Sequence, residues 1–328
     1  MLTYLIRRLF IGAFTLLVIT FVIFGLIRSM PGTPLTANMA EQDPSKQLSA
    51  AQIKQLEAAY GLDKPWPQAY VHWVGNVLRG DFGHSYASKQ PVVKIIGERI
   101  GPTLLLSIPS LLLSYLLAIP LGLYCSARDG KTDERTISTV LYMLYSFPSF
   151  VAALFLQLLF CIHLRWLPLF GIVSDHYEQL SPLGKTLDLF WHAVLPITVF
   201  TYGSLAYEAR FIRANMQEVL RQDYIRTARA KGLGPVSVIW KHGFRNTLIP
   251  LVTQLGLTLP GLLSGSIIVE QIFSWPGMGR QFFISINQRD YPTIMALTLM
   301  FSLLTLAAQL LADMMYAMVD PRVRLDRK

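Results

Sequence analysis

Gly130-Lys131-Thr132 carries the closing residues of a phosphate-binding loop, where backbone amides wrap a phosphate and the lysine neutralises it. The complete spacing, G-x-x-x-x-G-K-[ST], requires glycine at position 125. The chain has Cys125 there, and no core strand leads into the turn. Nucleotide binding by this chain is therefore not expected. His163, His176 and His192 show no H-E-x-x-H or comparable metal-ligand spacing. Ser174-Asp175-His176 has the residue types of an acyl-transfer triad, but the three are consecutive, whereas triad members must converge from separate elements. Cys125 and Cys161 both lie in long apolar runs without ligand spacing, so neither a metal site nor a disulfide is expected. The chain reads as a non-enzyme.

Two carboxylates in apolar surroundings are the remaining chemical candidates. Charge is costly in hydrocarbon, so ionisable groups there often mark ion pathways. Asp313 lies about two turns before Asp320, while Glu270 approaches the end of its apolar run, where water is expected to reach it. A proton-coupled carrier calls for several such groups near the midplane, together with internally repeated spans. Both carboxylates are therefore expected to be structural.

The elements that would position these residues follow from composition. Hydrophobic residues make up 52% of the chain and charged ones 15%, a balance that excludes an ordinary soluble protein. A helix needs roughly 20 mostly apolar residues to cross about 30 Å of hydrocarbon. Six stretches qualify: Leu9 to Ile27, Thr103 to Ser126, Ile137 to Ile162, Trp191 to Tyr207, Leu248 to Ile272 and Thr293 to Val319. The spacing predicts an all-α, polytopic membrane protein with six transmembrane helices. The first run is longer than a signal-peptide core and Arg28-Ser-Met-Pro31 lacks a small-x-small pattern, so it is expected to be an uncleaved anchor.

Lysine and arginine set the orientation. With Arg7 and Arg8 inside, the segments around Arg128 to Arg135, Glu208 to Thr247 and Asp320 to Lys328 also face the cytoplasm. Together they hold about 17 of the 29 basic residues in less sequence than the external segments, so both termini are expected to be cytoplasmic. The net charge of +9 is concentrated beside spans, where lipid headgroups and topology account for it without nucleic acid.

Arg28 to about Gly101 is the one sizeable external segment. It has a polar helix-favouring run from Glu41 to Tyr60 and a turn at Gly61-Leu-Asp-Lys-Pro-Trp66. Tyr70, Trp73, Val74, Val77 and Leu78 then follow at helical spacing, predicting an amphipathic helix over Gln68 to Leu78 with aromatics at headgroup depth. Arg79-Gly-Asp-Phe-Gly-His84 ends it. About 70 residues is marginal for a separate core, so this segment is expected to pack on the membrane domain.

The fifth span differs from the others. Gly256, Pro260, Gly261, Ser264 and Gly265 form a small-residue stripe, and Pro260 permits a bend. Close helix packing or a translocation path would each use such residues, and the Gly- and Pro-rich Phe273-Ser-Trp-Pro-Gly-Met-Gly-Arg280 beyond is compatible with a gate. Gln254, Pro260, Gly261, Ser264, Gly265, Trp275 and Pro276 are the candidate path or gate residues.

Between the fourth and fifth spans, Asp223 to Leu233 places Ile225, Ala228 and Leu233 among three basic residues before Gly234-Pro235 stops the helix. A solvated basic face and a docking surface are both consistent with that pattern.

Tyr224-Ile-Arg-Thr-Ala-Arg-Ala-Lys-Gly-Leu233, followed by Lys241-His-Gly-Phe-Arg-Asn-Thr-Leu-Ile-Pro250, resembles the coupling segment of ABC importer permeases of the dipeptide/oligopeptide/nickel family. The general importer pattern is Glu-Ala-Ala, three residues, Gly, nine residues, Ile-x-Leu-Pro. The chain keeps Ala228 and Gly232, with Arg226 and Thr227 in the first two positions and His242, Phe244 and Arg245 later, departures that the peptide branch shares. Gly243 stands where that branch usually has alanine. Arg7-Arg8, Gly61-Leu-Asp-Lys-Pro65, Gly80-Asp-Phe-Gly83, Ile119-Pro-Leu-Gly122, Phe273-Ser-Trp-Pro-Gly277, Arg289-Asp-Tyr-Pro292 and Asp320-Pro-Arg-Val-Arg324 resemble family landmarks in the expected order.

The resemblance implies a type I ABC importer permease fold, similar to the first of two permeases, in the cytoplasmic membrane of a prokaryote. It implies residues 1–101 as anchor helix plus external loop, 102–319 as a five-helix core with a cytoplasmic coupling segment at 208–247, and 320–328 as a tail. It further implies a second permease, two cytoplasmic ATPases that hold ATP and Mg²⁺, and an extracytoplasmic substrate-binding protein, with no cofactor on this chain. Coupling to the ATPase is implied for Arg226, Thr227, Ala228, Arg229, Ala230, Lys231, Gly232, Leu233 and Gly234. The implied cargo is a di- or oligopeptide; nickel, an oligosaccharide or a modified peptide are alternatives within the class, and an ion-coupled secondary carrier is the alternative outside it.

Overall fold

The computed structural model describes residues 2–30 and 64–319, so the predicted run from Glu41 to Tyr60, the turn at Gly61 and the tail fall outside the described residues. What is described is helical. The one pairing of extended backbone among these residues is a single bridge between His84 and Pro91.

In chain order, α1 spans Leu2–Ser29, α2 Trp66–Leu78, α3 Val92–Ala127 and α4 Thr132–Ser146. α5, Ser149–Leu156, continues as a π-helical stretch through Gln157–His163. α6 spans Pro182–Leu220 and α7 Asp223–Ala230. A short turn and a π-helical stretch over Val238–Phe244 lead into α8, Arg245–Ser264. α9 covers Ile267–Ile272, α10 Met278–Asn287 and α11 Tyr291–Val319.

Among the described residues, four helical stretches are long and apolar enough to cross a membrane: Ile6–Ser29, Val92–Ala127, Pro182–Leu220 and Tyr291–Leu311. The pair Thr132–Ser146 and Ser149–His163 makes a fifth if a bend of 95° is counted within one span. The run from Ile137 to Ile162, expected as one continuous helix, is thus broken. The cause is Pro148: it pushes the residue before it out of helical geometry, and Phe147 sits at φ −83°, ψ 121°. The run from Leu248 to Ile272 is broken too, at Gly265, whose φ of 67° ends α8 before α9 begins.

α3 and α6 form the centre of the bundle. A Cβ at Gly122 would lie 2.8 Å from both the Ala209 carbonyl oxygen and Ile212 Cβ, so only glycine lets these backbones approach so closely. In lipid no hydrophobic effect drives helices together, and packing of small residues takes its place. Ala118, Ala206 and Ala209 extend the contact, with Ile212, Met216 and Leu251 filling in around them. The described part of the segment between α1 and α3 packs on α1 through α2: the Tyr70 hydroxyl donates to the Leu17 carbonyl at 3.0 Å and lies 2.9 Å from Thr20 Oγ1, and its ring meets Phe21 and Phe24 edge-on.

Candidate functional site

At one end, α7 arises from a sharp turn after α6. Ile225 and Ala228 are buried under Val238 and Leu220, which holds the helix against the end of α6 and the start of the π-helical stretch. The other face is open. Arg226, Thr227, Arg229, Ala230, Lys231, Leu233 and Gly234 are all exposed. Leu233 does not join the buried face expected of it, because the helix stops at Ala230 and Lys231-Gly232 turns the chain. Gly232 has φ 77° and empty space where a Cβ would be, so its role is conformational. Val236 and Trp240 are also exposed, putting large apolar groups beside the basic ones.

This end is tied to the rest of the chain through charge. Arg213 on α6 reaches buried Glu134 at 2.8 Å, Ser138 at 2.9 Å and Asp129 at 3.2 Å, while Gln217 donates to Asp129 at 2.8 Å. The Tyr124 hydroxyl and Arg128 Nε donate to Asp133 at 2.6 and 2.7 Å and hold its carboxyl down at about 2. The ion pair of Arg226 with Asp223, at 3.3 Å, is so exposed that it contributes roughly 0–1 kcal/mol.

The opposite end is built around Glu270. It is fully buried and does not reach water, contrary to expectation, because the chain folds back over it after α9. Its Oε1 accepts from the Thr103 hydroxyl at 3.0 Å and its Oε2 from the Arg280 N–H at 2.9 Å. Thr103 Oγ1 in turn accepts from the Met278 N–H at 2.8 Å. Two side chains from α3 and α9 thereby satisfy the first amides of α10, where a negative charge is favoured by the helix dipole. A Cβ on Gly265 or Gly277 would collide with the Glu270 carboxylate, and one on Gly279 would lie 2.8 Å from the Ile267 backbone nitrogen.

The candidate path residues divide. Gln254, Pro260, Gly261 and Ser264 lie on α8 and Gly265 at its end, with Gly261 exposed. Trp275 is fully buried, its Nε1 donating to the Pro102 carbonyl at 2.8 Å, and the Pro276 carbonyl accepts from Arg99 at 3.4 Å. Trp275 therefore presents no open surface alongside the α8 residues. Asp313 lies on α11, its side chain outside the described ones.

Three buried carboxylates carry roles that were not read from the sequence. Asp290 is 1% exposed and accepts from Ser85 Oγ at 2.5 Å, the Tyr86 N–H at 2.7 Å and Thr293 Oγ1 at 2.7 Å, clamping the loop after α2 to the start of α11. The signal was available: an aspartate just before a helix with proline in its first turn. Glu134 pairs with Arg213 from 79 residues away, a pairing that leaves no local sequence trace. Glu208, on α6, is also buried. Among the described residues no group of three His, Cys, Asp or Glu converges as metal ligands.

Two family models match the chain: the inner membrane component of binding-protein-dependent transport systems over residues 118–325, and the N-terminal membrane component of such systems over residues 1–107. The oligopeptide transport system permease protein AppB of Bacillus subtilis is 39% identical over 324 residues, covering 98% of this chain and 99% of its own. The glutathione transport system permease protein GsiC of Pectobacterium atrosepticum is 37% identical over 324 residues, covering 99% of each. Among solved structures, a chain of the MetNI methionine ABC transporter in an inward-facing conformation superposes with a TM-score of 0.53 at 17% identity, over 70% of this chain and 97% of that one. That likeness establishes the fold.

Proposed function

The chain belongs to the inner membrane components of binding-protein-dependent transport systems, a multi-pass, non-catalytic ABC importer permease of a bacterial inner membrane, and from that membership we propose how it works and what it carries. Its cargo is a short peptide. The near-equal match to an oligopeptide permease and a glutathione permease supports peptide chemistry over nickel or an oligosaccharide, with a modified tripeptide as the second reading.

In this reading six spans cross the membrane with both termini cytoplasmic. The 20-residue α8, about 30 Å long, adds the sixth to the four single helices and the bent pair. Residues 1–101 form anchor and external loop, 102–319 the core and 320–328 the tail. A second permease, two ATPases that hold ATP and Mg²⁺, and an external binding protein complete the transporter; this chain holds no cofactor. Residues 226–234 dock the ATPase. One observation carries this: α7 buries its apolar face against its own chain yet leaves basic side chains together with Leu233, Val236 and Trp240 uncovered, the apolar-centre, charged-edge composition of an interface.

Because α7 rests on Leu220 at the end of α6 and on Val238 ahead of α8, displacement of α7 by closing ATPases acts on two spans at once. That rigid-body step alternates access for the cargo, past Gln254, Pro260, Gly261, Ser264 and Gly265 on α8, with Trp275 and Pro276 in the gate beyond it. The test is a tagged pull-down of this chain from its native membrane, followed by reconstitution with the co-purifying subunits. Recovery of a second multi-span protein and a Walker-motif ATPase, with ATP-dependent uptake of labelled peptide, is expected. Recovery of the chain alone, still active in vesicles without ATP, would overturn the reading.

A further inference from the structure

Where α6 passes from apolar to charged sequence, Arg210 lies against two tyrosine rings of α4. Its guanidinium carbon is 4.1 Å from the Tyr142 centroid and 5.1 Å from that of Tyr145. Among the described residues no carboxylate pairs with it, whereas Arg213, one turn on, is occupied by Glu134 and Asp129. Arg210, Tyr142, Tyr145, Tyr207 and Gln217 line an open cavity of about 400 Å³ between the two helices. The three tyrosines are about half exposed, and Val140 and Met143 beside them on α4 present exposed apolar surface.

We propose that this cleft binds the headgroup phosphate of an anionic phospholipid. A guanidinium stacked on aromatic faces keeps its N–H edge free, and that edge matches two phosphate oxygens at once. The tyrosine hydroxyls supply further donors around it. A membrane-boundary cation without an internal counterion needs one from outside, and basic pockets between membrane helices take anionic headgroups. Val140 and Met143 decide for a lipid over a free phosphate, because only a lipid brings acyl chains to cover them. The bound lipid bridges α4 and α6 where their own contact is cleft.

The experiment places the purified full-length chain, with its co-purifying subunits, in nanodiscs of phosphatidylglycerol and phosphatidylcholine in equal parts. Retained lipids are then counted by native mass spectrometry. The wild type is expected to keep phosphatidylglycerol, Arg210→Gln to lower that retention roughly tenfold, and Tyr145→Phe, which keeps the ring stack and removes one donor, to lower it less. Tyr145→Phe also guards against a folding defect in the first variant. Unchanged retention in Arg210→Gln, or equal retention of phosphatidylcholine, overturns the proposal. So does displacement of the lipid by millimolar inorganic phosphate, which marks a free-anion site.

Discussion

The glycines at the two ends of the molecule do opposite work. Around Glu270, Gly277 and Gly279 are glycine because a side chain has nowhere to go, with carboxylate and backbone already where a Cβ would lie. At Gly232 a side chain has all the room it needs, and glycine is there for a backbone angle of 77°. Around Glu270 the carboxylate, Thr103 and the first amides of α10 satisfy one another in a closed interior. The α7 end is half an interior: one face of α7 is buried and the other is exposed.

The comparison breaks most easily at Glu270. Replacing it with alanine leaves the Arg280 N–H and the Thr103 hydroxyl without their acceptor in a sealed site, a cost of about 3 kcal/mol. Gly279→Ala forces a Cβ against the Ile267 backbone at roughly 1–3 kcal/mol. Both variants should give less folded protein and a lower thermal midpoint, with uptake falling only as far as protein level falls. Normal midpoints would mean the Glu270 site is not a closed interior.

At Gly232 the expected loss is smaller in stability and larger in assembly. Gly232→Val costs about 1–2 kcal/mol for the left-handed backbone, yet the chain should insert and melt nearly as the wild type does. Co-purification of the ATPase and peptide uptake should fall sharply, and Gly232→Asn, which tolerates that conformation, should retain most of both. If Gly232→Val is as poorly folded as Gly279→Ala, the distinction between the ends fails. If uptake is normal, the docking role of this turn fails.

The smallest effect belongs to Asp133. Its folded value, about 2, lies below its usual 3.8, so its pairing contributes fully above about pH 4 and is lost as pH falls from there through about 2. Asp133→Asn should therefore lower the thermal midpoint slightly and evenly from pH 7 to 5. The gap should close below pH 4, and a gap that persists at pH 2 would show that charge is not its source.

Much of this was readable from sequence because it is local. Charge-free runs give spans, aromatic spacing gives α2, and Ile225 and Ala228 give the buried face of α7. What escaped has two physical causes. Hydropathy averages over a window, so it does not register that Pro148 and Gly265 break helices inside apolar runs. Buried polar partners, such as Thr103 with Glu270 or Glu134 with Arg213, are joined across distant sequence and carry no periodicity. Of the candidate path, the sequence allowed a bend at Pro260, whereas the helix runs on through it and breaks at Gly265, and the burial of Trp275 under Pro102 left no trace either.

The clamp at Asp290 has a consequence for how the chain is made. Ser85 and Asp290 are 205 residues apart. At about 5–20 residues per second of synthesis, roughly 10–40 s separate the two halves of that contact. Throughout that interval the loop exists without its anchor. The α11 end of the chain is thus what closes the loop after α2, and a ribosome that stalls before residue 290 leaves that loop unlatched.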